Sequence, residues 1–184
     1  MSLRGTVSAV ALVAAVGTAI AGCGSSASKP QHTPYVELSS GSYQGSAWQL
    51  FAWQQDAQLC MALLPGGADP DHPSPSSGGS WAGAGGAGCA FNNHDSGTGY
   101  YAGSTGPAGS RFAYGPLPET ATQIRVAANE ILTTAQLPGG KGLPAGRYWI
   151  HLMAKDWPSA TDGAALDTPQ PLDARGGKVA FQDF

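Results

Sequence analysis

Charged residues are scarce in this sequence. Asp, Glu, Lys and Arg together make up 11% of the 184 residues, and the formal net charge is −3. Proteins that bind nucleic acid use clustered Lys and Arg to neutralise phosphates, whereas the nine basic residues of this chain are scattered. The composition therefore predicts no nucleic-acid partner.

The sequence also lacks the motifs of common catalytic and cofactor sites. It contains no Gly-x-Ser-x-Gly elbow, no His-Glu-x-x-His zinc motif and no phosphate loop in which glycines precede Lys and then Ser or Thr. The carboxylates stand in turn-rich stretches and neither indicate nor exclude a paired-carboxylate glycosidase. We predict no catalytic residue, no metal and no cofactor, and we favour a non-enzymatic protein while leaving an enzymatic activity open.

Two short groups of residues could suggest chemistry, and each has a simpler explanation. Asp69, Asp71 and His72 could suggest a cation site, but loops that bind hard cations place more oxygen ligands at regular spacing, which favours solvated loop residues here. His94 precedes Asp95, but neighbouring residues in a strand or turn usually point apart. Adjacency is therefore weak evidence for a catalytic pair.

One long apolar run is present, at residues 7–20, and it follows the positive charge of Arg4. It is shorter than the roughly 20 apolar residues that a membrane span needs. A short basic start, an apolar stretch and small residues after it are typical of a secretory signal peptide. The run thus predicts export.

The signal ends in Ile20-Ala21-Gly22-Cys23, which resembles the lipobox of bacterial lipoproteins. The resemblance implies cleavage between Gly22 and Cys23 and attachment of diacylglyceryl, with acyl chains such as palmitate, to the Cys23 sulfur. It places the protein at the extracytoplasmic face of the cell membrane, held by lipid. The alternative is an ordinary signal peptide cut nearby, with Cys23 as an incidental thiol.

Removal of the first 22 of the 184 residues leaves 162, which is enough for one domain. We predict a signal peptide at 1–22, a lipidated cysteine with a flexible tether at 23–43, and one β-sandwich domain at 44–184. The tether is rich in Gly, Ser, Ala and Pro, and a flexible chain of that length reaches on the order of 25 Å.

The two remaining cysteines, Cys60 and Cys89, form an even pair in an oxidising compartment. We predict a disulfide between them. A reactive Cys89 paired with His94 would instead need a reduced thiol outside the cell.

Short apolar segments separated by turn residues predict an all-β fold. The clearest are the two arms of a hairpin at 46–55 and 58–64, a strand at 123–127 in which Ile124 and Val126 alternate with polar residues, and a strand at 146–154. Further strands are predicted at 99–103, 111–114 and 130–137, with a closing hairpin at 172–181, and residues 65–88 form a long Gly/Pro/Ser-rich loop. Eight or nine short strands favour an antiparallel β-sandwich, with an immunoglobulin-like form as one version, over a barrel.

The ordered part resembles small lipoproteins of actinobacteria. The points of resemblance are Trp48-Gln-Leu-Phe-Ala with Leu59-Cys60, Gly88-Cys89, Tyr114-Gly-Pro-Leu-Pro with Ile124-Arg-Val, and Gly146-Arg-Tyr-Trp. This resemblance implies a fold more than an activity.

Three hypotheses of function follow. The first is a non-enzymatic envelope lipoprotein whose sandwich contacts an envelope protein or a cell-wall glycan. The second is a carbohydrate or peptidoglycan binding module, which exposed Trp81 and Trp157 would favour because aromatic faces stack on sugar rings; Trp81 could equally pack its loop onto the domain. The third is a secreted hydrolase, which needs His94 or His151 near a carboxylate and a nucleophile, although His151 shares a predicted strand face with Trp149 and is expected to be packed.

Overall fold

A computed structural model of the chain describes residues 32–71, 86–89, 91, 100–127, 129–153 and 169–184. These residues form eleven strands, one short 3-10 turn at Pro107–Gly109 and no α-helix. The strands are β1 Val36–Tyr43, β2 Ser46–Gln55, β3 Gln58–Pro65, β4 Gly86–Cys89, β5 Ala102–Thr105, β6 Arg111–Leu117, β7 Gln123–Ala127, β8 Glu130–Thr133, β9 Ala135–Gln136, β10 Arg147–Met153 and β11 Gln170–Leu172.

The strands form three antiparallel sheets. Sheet A has the order β1-β2-β3-β4, sheet B the order β5-β6-β10-β9, and sheet C the order β11-β7-β8. Sheet A is a simple meander, whereas immunoglobulin sheets place strands side by side that are not consecutive in the chain. The predicted all-β antiparallel class is confirmed.

Sheets A and B face each other across the main core. Leu50 of β2 and Met61 of β3 are fully buried on one side, and Phe112 and Tyr114 of β6 are fully buried on the other. Tyr148 of β10 joins them, and each such side chain contributes roughly 1.5–3 kcal/mol through its burial. This face-to-face arrangement is the predicted sandwich.

Sheet C covers the opposite face of sheet B. Trp149 of β10 packs there against Ile124 and Val126 of β7, the two apolar residues whose alternation predicted that strand. Gly115 of β6 is required on this face, because a Cβ at Gly115 would lie 2.6 Å from the carbonyl oxygen of Tyr100. Sheet B is therefore a central layer with a core on each side.

The first hairpin formed as predicted. Strands β2 and β3 pair from Trp48 with Pro65 to Gln55 with Gln58, around a two-residue turn. Asp56 and Ala57 both have positive φ in this turn, the backbone pattern whose twist matches that of the flanking strands.

The tether prediction was wrong for residues 36–43, which form strand β1. In this strand Val36 is buried and Leu38 packs against the main core, while the remaining residues are mostly small and polar. Among the described strands, β1 is at the edge of sheet A, and polar and short side chains are common in edge strands. Its apolar pattern was thus too weak to indicate a strand.

Strands β5 and β6 differ from the predictions at their ends. Strand β5 lies at Ala102–Thr105 instead of 99–103, and β6 continues past the predicted 114 through Pro116. Strand β5 pairs with β6 only as far as Tyr114. Pro116, which has no N–H to donate, therefore lies beyond the hydrogen bonds between these two strands. A proline could therefore be accommodated inside this strand.

The predicted strand at 130–137 is two strands in two sheets. Strand β8 pairs with β7 in sheet C, and β9 pairs with β10 in sheet B. The chain changes sheets at Thr134, whose hydroxyl donates to the Ala121 carbonyl and accepts from Arg147 Nε, both at 2.6 Å. Apolar periodicity cannot show such a crossing.

The closing hairpin is present but short. Strand β11 ends at Leu172, which is bridged to Lys178, and the amide of Val179 donates to the Pro171 carbonyl. The Asp173 carboxylate accepts hydrogen bonds from the amides of Arg175 and Gly177 at 2.8 Å and so fixes the turn.

The predicted disulfide between Cys60 and Cys89 is confirmed. The two residues are directly paired across β3 and β4, so the bond ties a four-residue edge strand to sheet A. Within the residues described here, no helix has the length and apolar character to span a membrane.

Candidate functional site

A cleft of about 660 Å³ opens between the segment that leads into β1 and the loop that joins β9 to β10. Residues 33–37 form one wall, and Pro138 with residues 140–142 forms the other. Because β1 is an outer strand of sheet A and β9 an outer strand of sheet B, the cleft lies where the free edges of the two sheets come together. Its volume is in the range of ligand-binding clefts.

The first wall is fastened to the sheet by hydrogen bonds. The amide of Thr33 donates to the Gln54 carbonyl at 2.9 Å, and the amide of Gln54 donates to the Thr33 hydroxyl at 2.8 Å. Pro34 then interrupts the ladder before β1 begins at Val36. The wall is therefore an extended segment held at both ends.

Aromatic rings support this wall from the outer face of sheet A. The ring centroids of His32 and Tyr35 are 5.0 Å apart, and those of Tyr35 and Trp53 are 4.9 Å apart. Trp53 is buried, Tyr35 is half-buried and His32 is exposed, so the row leads from the protein interior to solvent. Nε2 of His32 lies 3.7 Å from a carboxylate oxygen of Asp71.

The electrostatic surroundings of Tyr35 favour its neutral form. Burial, followed by the negative charges of Asp71 and Asp69, raises the pKa of the Tyr35 hydroxyl above its ordinary value of 10.0. Tyr35 is thus a neutral hydrogen-bonding group in the cleft wall at physiological pH.

Glu37 stands on the same wall, and its carboxylate is held in place. Gln49 Nε2 donates to Glu37 Oε2 at 2.8 Å. The side-chain oxygen of Gln49, Oε1, accepts from the backbone amide of Gly67 at 2.7 Å. The amide side chain is thus bonded at both ends and orients the carboxylate, one form of preorganisation in a binding site.

The opposite wall carries little side-chain bulk. Gly140 and Gly142 have φ values of 72° and 76°, a left-handed conformation that favours glycine. A Cβ at Gly142 would lie 3.0 Å from Cγ2 of Thr33, so the two walls come close together at this point. Lys141 is exposed between the glycines and brings a positive charge to this wall.

Most residues singled out from the sequence fall outside the described residues. These are Cys23, His72, Trp81, His94, Asp95 and Trp157. Asp69 and Asp71 are both exposed, and the Asp69 carboxylate accepts from the amide of Asp71 at 2.9 Å. No group of three His, Cys, Asp or Glu that could hold a metal occurs in the ranges given above.

His151 is packed as predicted. It lies on the same strand face as Trp149 and Met153, and its Nε2 is 3.7 Å from a carboxylate oxygen of Glu130. Within the described part of the chain, no hydroxyl or thiol side chain hydrogen-bonds to His32 or His151. Among these described residues, neither histidine has the hydrogen-bonded nucleophile that a hydrolytic dyad requires.

The three described tryptophans are packing residues. Trp149 and Trp53 are 2% and 8% exposed. Trp48 packs edge-on against Phe112. Its indole also lies against Gly41, where a Cβ would come within 2.6 Å of the indole ring. Trp53 and Trp149 therefore present no open face on which a sugar ring could stack, and Trp48 is partly buried.

Comparison with protein-family models, with curated proteins and with solved structures finds no match for this chain.

Proposed function

We propose that the protein is a lipid-anchored cell-envelope protein whose β-sandwich binds a partner at the cleft between residues 33–37 and 138–142 without catalysing a reaction. The observation that carries this proposal is the cleft itself, a concave surface with a held carboxylate on one wall and a lysine on the other. Such a surface can bind and orient a partner through polar contacts.

The anchor in this proposal is Cys23, supported by the signal and lipobox pattern of residues 1–23. Thr33, the first residue of the cleft, is ten residues after Cys23. A chain of ten residues spans at most about 35 Å. The cleft therefore lies close to the extracytoplasmic face of the cell membrane, and its partner must reach this face.

The chemistry of the cleft supports binding rather than catalysis. The side chains that line it with ionisable or hydroxyl groups are Thr33, Tyr35, Glu37 and Lys141. Thr33 accepts from the backbone amide of Gln54, and Glu37 accepts from Gln49. Neither contact joins a nucleophile to a general base, which is the arrangement that covalent catalysis needs.

A carbohydrate or peptidoglycan binding module is the second candidate. The sequence motivates it through Trp81 and Trp157, and the half-buried ring of Tyr35 in the cleft wall is the structural observation that favours it. A glycan in this cleft would place its hydroxyl groups near Glu37 and Lys141.

Site-specific photo-crosslinking in intact cells tests the proposal. A benzophenone amino acid at Pro138, which lines the cleft and leaves Glu37 and Lys141 in place, should give a discrete adduct. The same probe at Ile131 should not, because Ile131 is 49% exposed on sheet C and does not line the cleft. Filling the cleft with Gly140→Trp should remove the adduct. Equal labelling from both positions, or no adduct from Pro138, would refute binding at the cleft.

A further inference from the structure

We infer that the cleft binds a short extended peptide that carries one basic and one acidic side chain, the basic one against Glu37 and the acidic one against Lys141. This inference rests on the proposed binding function and adds the chemical class of the partner. Three features of the described residues support it: a free strand edge, a wall with little side-chain bulk, and two separate charges of opposite sign.

The free edge is the outer side of β1 and of the segment that precedes it. Among the described strands, β1 pairs with β2 on one side only and ends sheet A on the other. A free edge presents peptide N–H and C=O groups that a further strand can pair with, and adding a strand is a common mode of peptide recognition.

The edge is open next to the cleft for a local reason. At the bulge between Glu37 and Ser39, the carbonyl of Leu38 turns towards sheet B and accepts a hydrogen bond from the Tyr148 hydroxyl. This contact joins β1, at the edge of sheet A, to β10 of sheet B beyond residue 37. The cleft is therefore closed at that end and open along residues 33–37.

The opposite wall leaves room for a main chain to approach. Glycines occupy positions 140 and 142, so their peptide groups are not shielded by side chains. Residues 139–140 form a turn, and among the described residues the N–H and C=O groups of Gly140 and Gly142 make no backbone hydrogen bond outside regular strands. They can pair with a peptide that lies between the walls.

The two charges are separate from each other. Glu37 and Lys141 form no ion pair with one another, and Glu37 keeps acceptor capacity beyond its one hydrogen bond from Gln49. A ligand with a cation and an anion would engage both, since charge-assisted hydrogen bonds are stronger than neutral ones.

A peptide fits these features better than a sugar does. Tyr35 is the aromatic residue of the cleft, and its ring already contacts the rings of His32 and Trp53. The wall of five residues is about 16 Å long at the rise of an extended chain, which corresponds to a peptide of about five residues.

Fluorescence anisotropy with three end-blocked, labelled pentapeptides tests this inference. The peptides are Lys-Ala-Val-Ala-Glu, Lys-Ala-Val-Ala-Lys and Glu-Ala-Val-Ala-Glu. The wild-type protein should bind the first about fivefold more tightly than the other two, the discrimination expected of one partly exposed ion pair. Glu37→Lys should shift the preference to the peptide with two Glu, and Lys141→Glu to the peptide with two Lys.

Two controls separate this preference from general charge effects. Lys178→Glu changes the net charge as Lys141→Glu does, but at an exposed position outside the cleft, and it should leave the order of affinities unchanged. A second control uses two N-methylated peptides, one methylated at the odd-numbered nitrogens and one at the even-numbered nitrogens. One of them should bind about tenfold more weakly than the unmodified peptide and the other nearly as well, because only one edge of the peptide pairs with β1.

The inference is wrong if the three peptides bind equally, if none binds at millimolar concentration, or if the charge variants keep the wild-type preference. An adduct from Pro138 in cells together with no peptide binding would retain the proposed binding function and reject the peptide. An adduct that consists of wall glycan would also retain binding at the cleft and reject the peptide, and it would favour the carbohydrate-binding module.

Discussion

Ala57 is an L-residue in a backbone conformation that suits glycine. With Asp56 it forms the two-residue turn of the first hairpin, at φ values of 49° and 65°, and it is exposed. Asp-Gly is a preferred pair in such turns because glycine has no Cβ to clash in the left-handed region. We expect Ala57→Gly to raise the free energy of unfolding by about 0.5–1 kcal/mol, measured by chemical denaturation.

The turn between β1 and β2 supplies a matched control. Gln44 and Gly45 have φ values of 49° and 80°, and nothing lies within 4 Å of a Cβ built at Gly45. Gly45→Ala should therefore lower stability by about 1 kcal/mol through backbone strain alone. If both substitutions shift stability in the same direction, the conformational explanation is wrong.

Buried tyrosines make the fold sensitive to high pH. Burial raises the pKa values of the Tyr114 and Tyr148 hydroxyls above 10.0, although hydrogen bonds from Ser104 and the Leu63 backbone partly offset this for Tyr114. Below the unfolded-state pKa both states are neutral and the full stability is present. As the pH rises through 10, the unfolded chain ionises first, so stability is lost.

Urea denaturation at about pH 8 and about pH 11 measures this loss. The free energy of unfolding should fall over this interval, and Tyr114→Phe should reduce the fall while costing about 1 kcal/mol at the lower pH, because the Ser104 hydroxyl loses its partner. An equal fall in the variant and in the wild type would rule out Tyr114 as a cause.

At the scale of elements, strand β4 depends on its disulfide. The strand has four residues at the edge of sheet A, and Cys60 and Cys89 are separated by 29 positions. The chain-entropy model gives about 3–4 kcal/mol for closing such a loop. We expect reductant to lower the melting temperature of the wild type by about 10 °C. A variant with both cysteines replaced by alanine should melt near that lower temperature and should not respond to reductant. If reductant leaves the melting temperature of the wild type unchanged, the disulfide does not stabilise β4.

Elements with a strong local signal could be predicted from the sequence. The hairpin of β2 and β3 combines two apolar runs with a two-residue turn, and β7 shows one buried face in Ile124 and Val126. Their boundaries were predicted within about one residue. The disulfide followed from the count of cysteines, because only two remain once Cys23 is assigned to the lipid.

Elements whose position depends on distant contacts could not be predicted in this way. Strand β1 reads as polar, and only the packing of Leu38 and the Tyr148 hydrogen bond show that it belongs to the domain. The division of residues 130–137 between two sheets depends on Thr134 and its contact with Arg147.

The candidate site was missed for the same reason. One wall lies at residues 33–37, inside the predicted tether, and the other lies in a loop more than a hundred residues later. The loop was recognised from Pro138 and its glycines, and the sequence Tyr35-Val36-Glu37-Leu38 alternates as a strand does, which is the one signal that could have indicated the first wall. Nothing in the sequence brings the two walls together.

At the scale of the whole molecule, the fold shortens the proposed tether. Pairing begins at His32, which is bridged to Gln55, so residues 24–31 are all that separate Cys23 from the described domain. The domain is thus closer to the proposed anchor than the roughly 20-residue tether of the sequence prediction would place it.

Replacing the proposed anchor tests the location of the molecule. Cys23→Ser removes the thiol that the lipid needs, and we expect the protein to move from the membrane fraction to the soluble fraction, by immunoblot after ultracentrifugation. Ser25→Ala, two residues later, is the matched control and should stay with the membrane. Retention of the Cys23→Ser protein at the membrane would contradict lipid anchoring.

Hydrogen–deuterium exchange of the full chain most directly tests the claim that an envelope partner occupies the cleft. Exchange is compared between the protein in isolated cell envelopes and the protein purified in detergent. Residues 33–37 and 138–142 should exchange more slowly in envelopes, while β8, which lies away from the cleft in sheet C, should exchange equally in both. Equal exchange of the two cleft walls in both preparations, or slower exchange confined to other segments, would contradict the account.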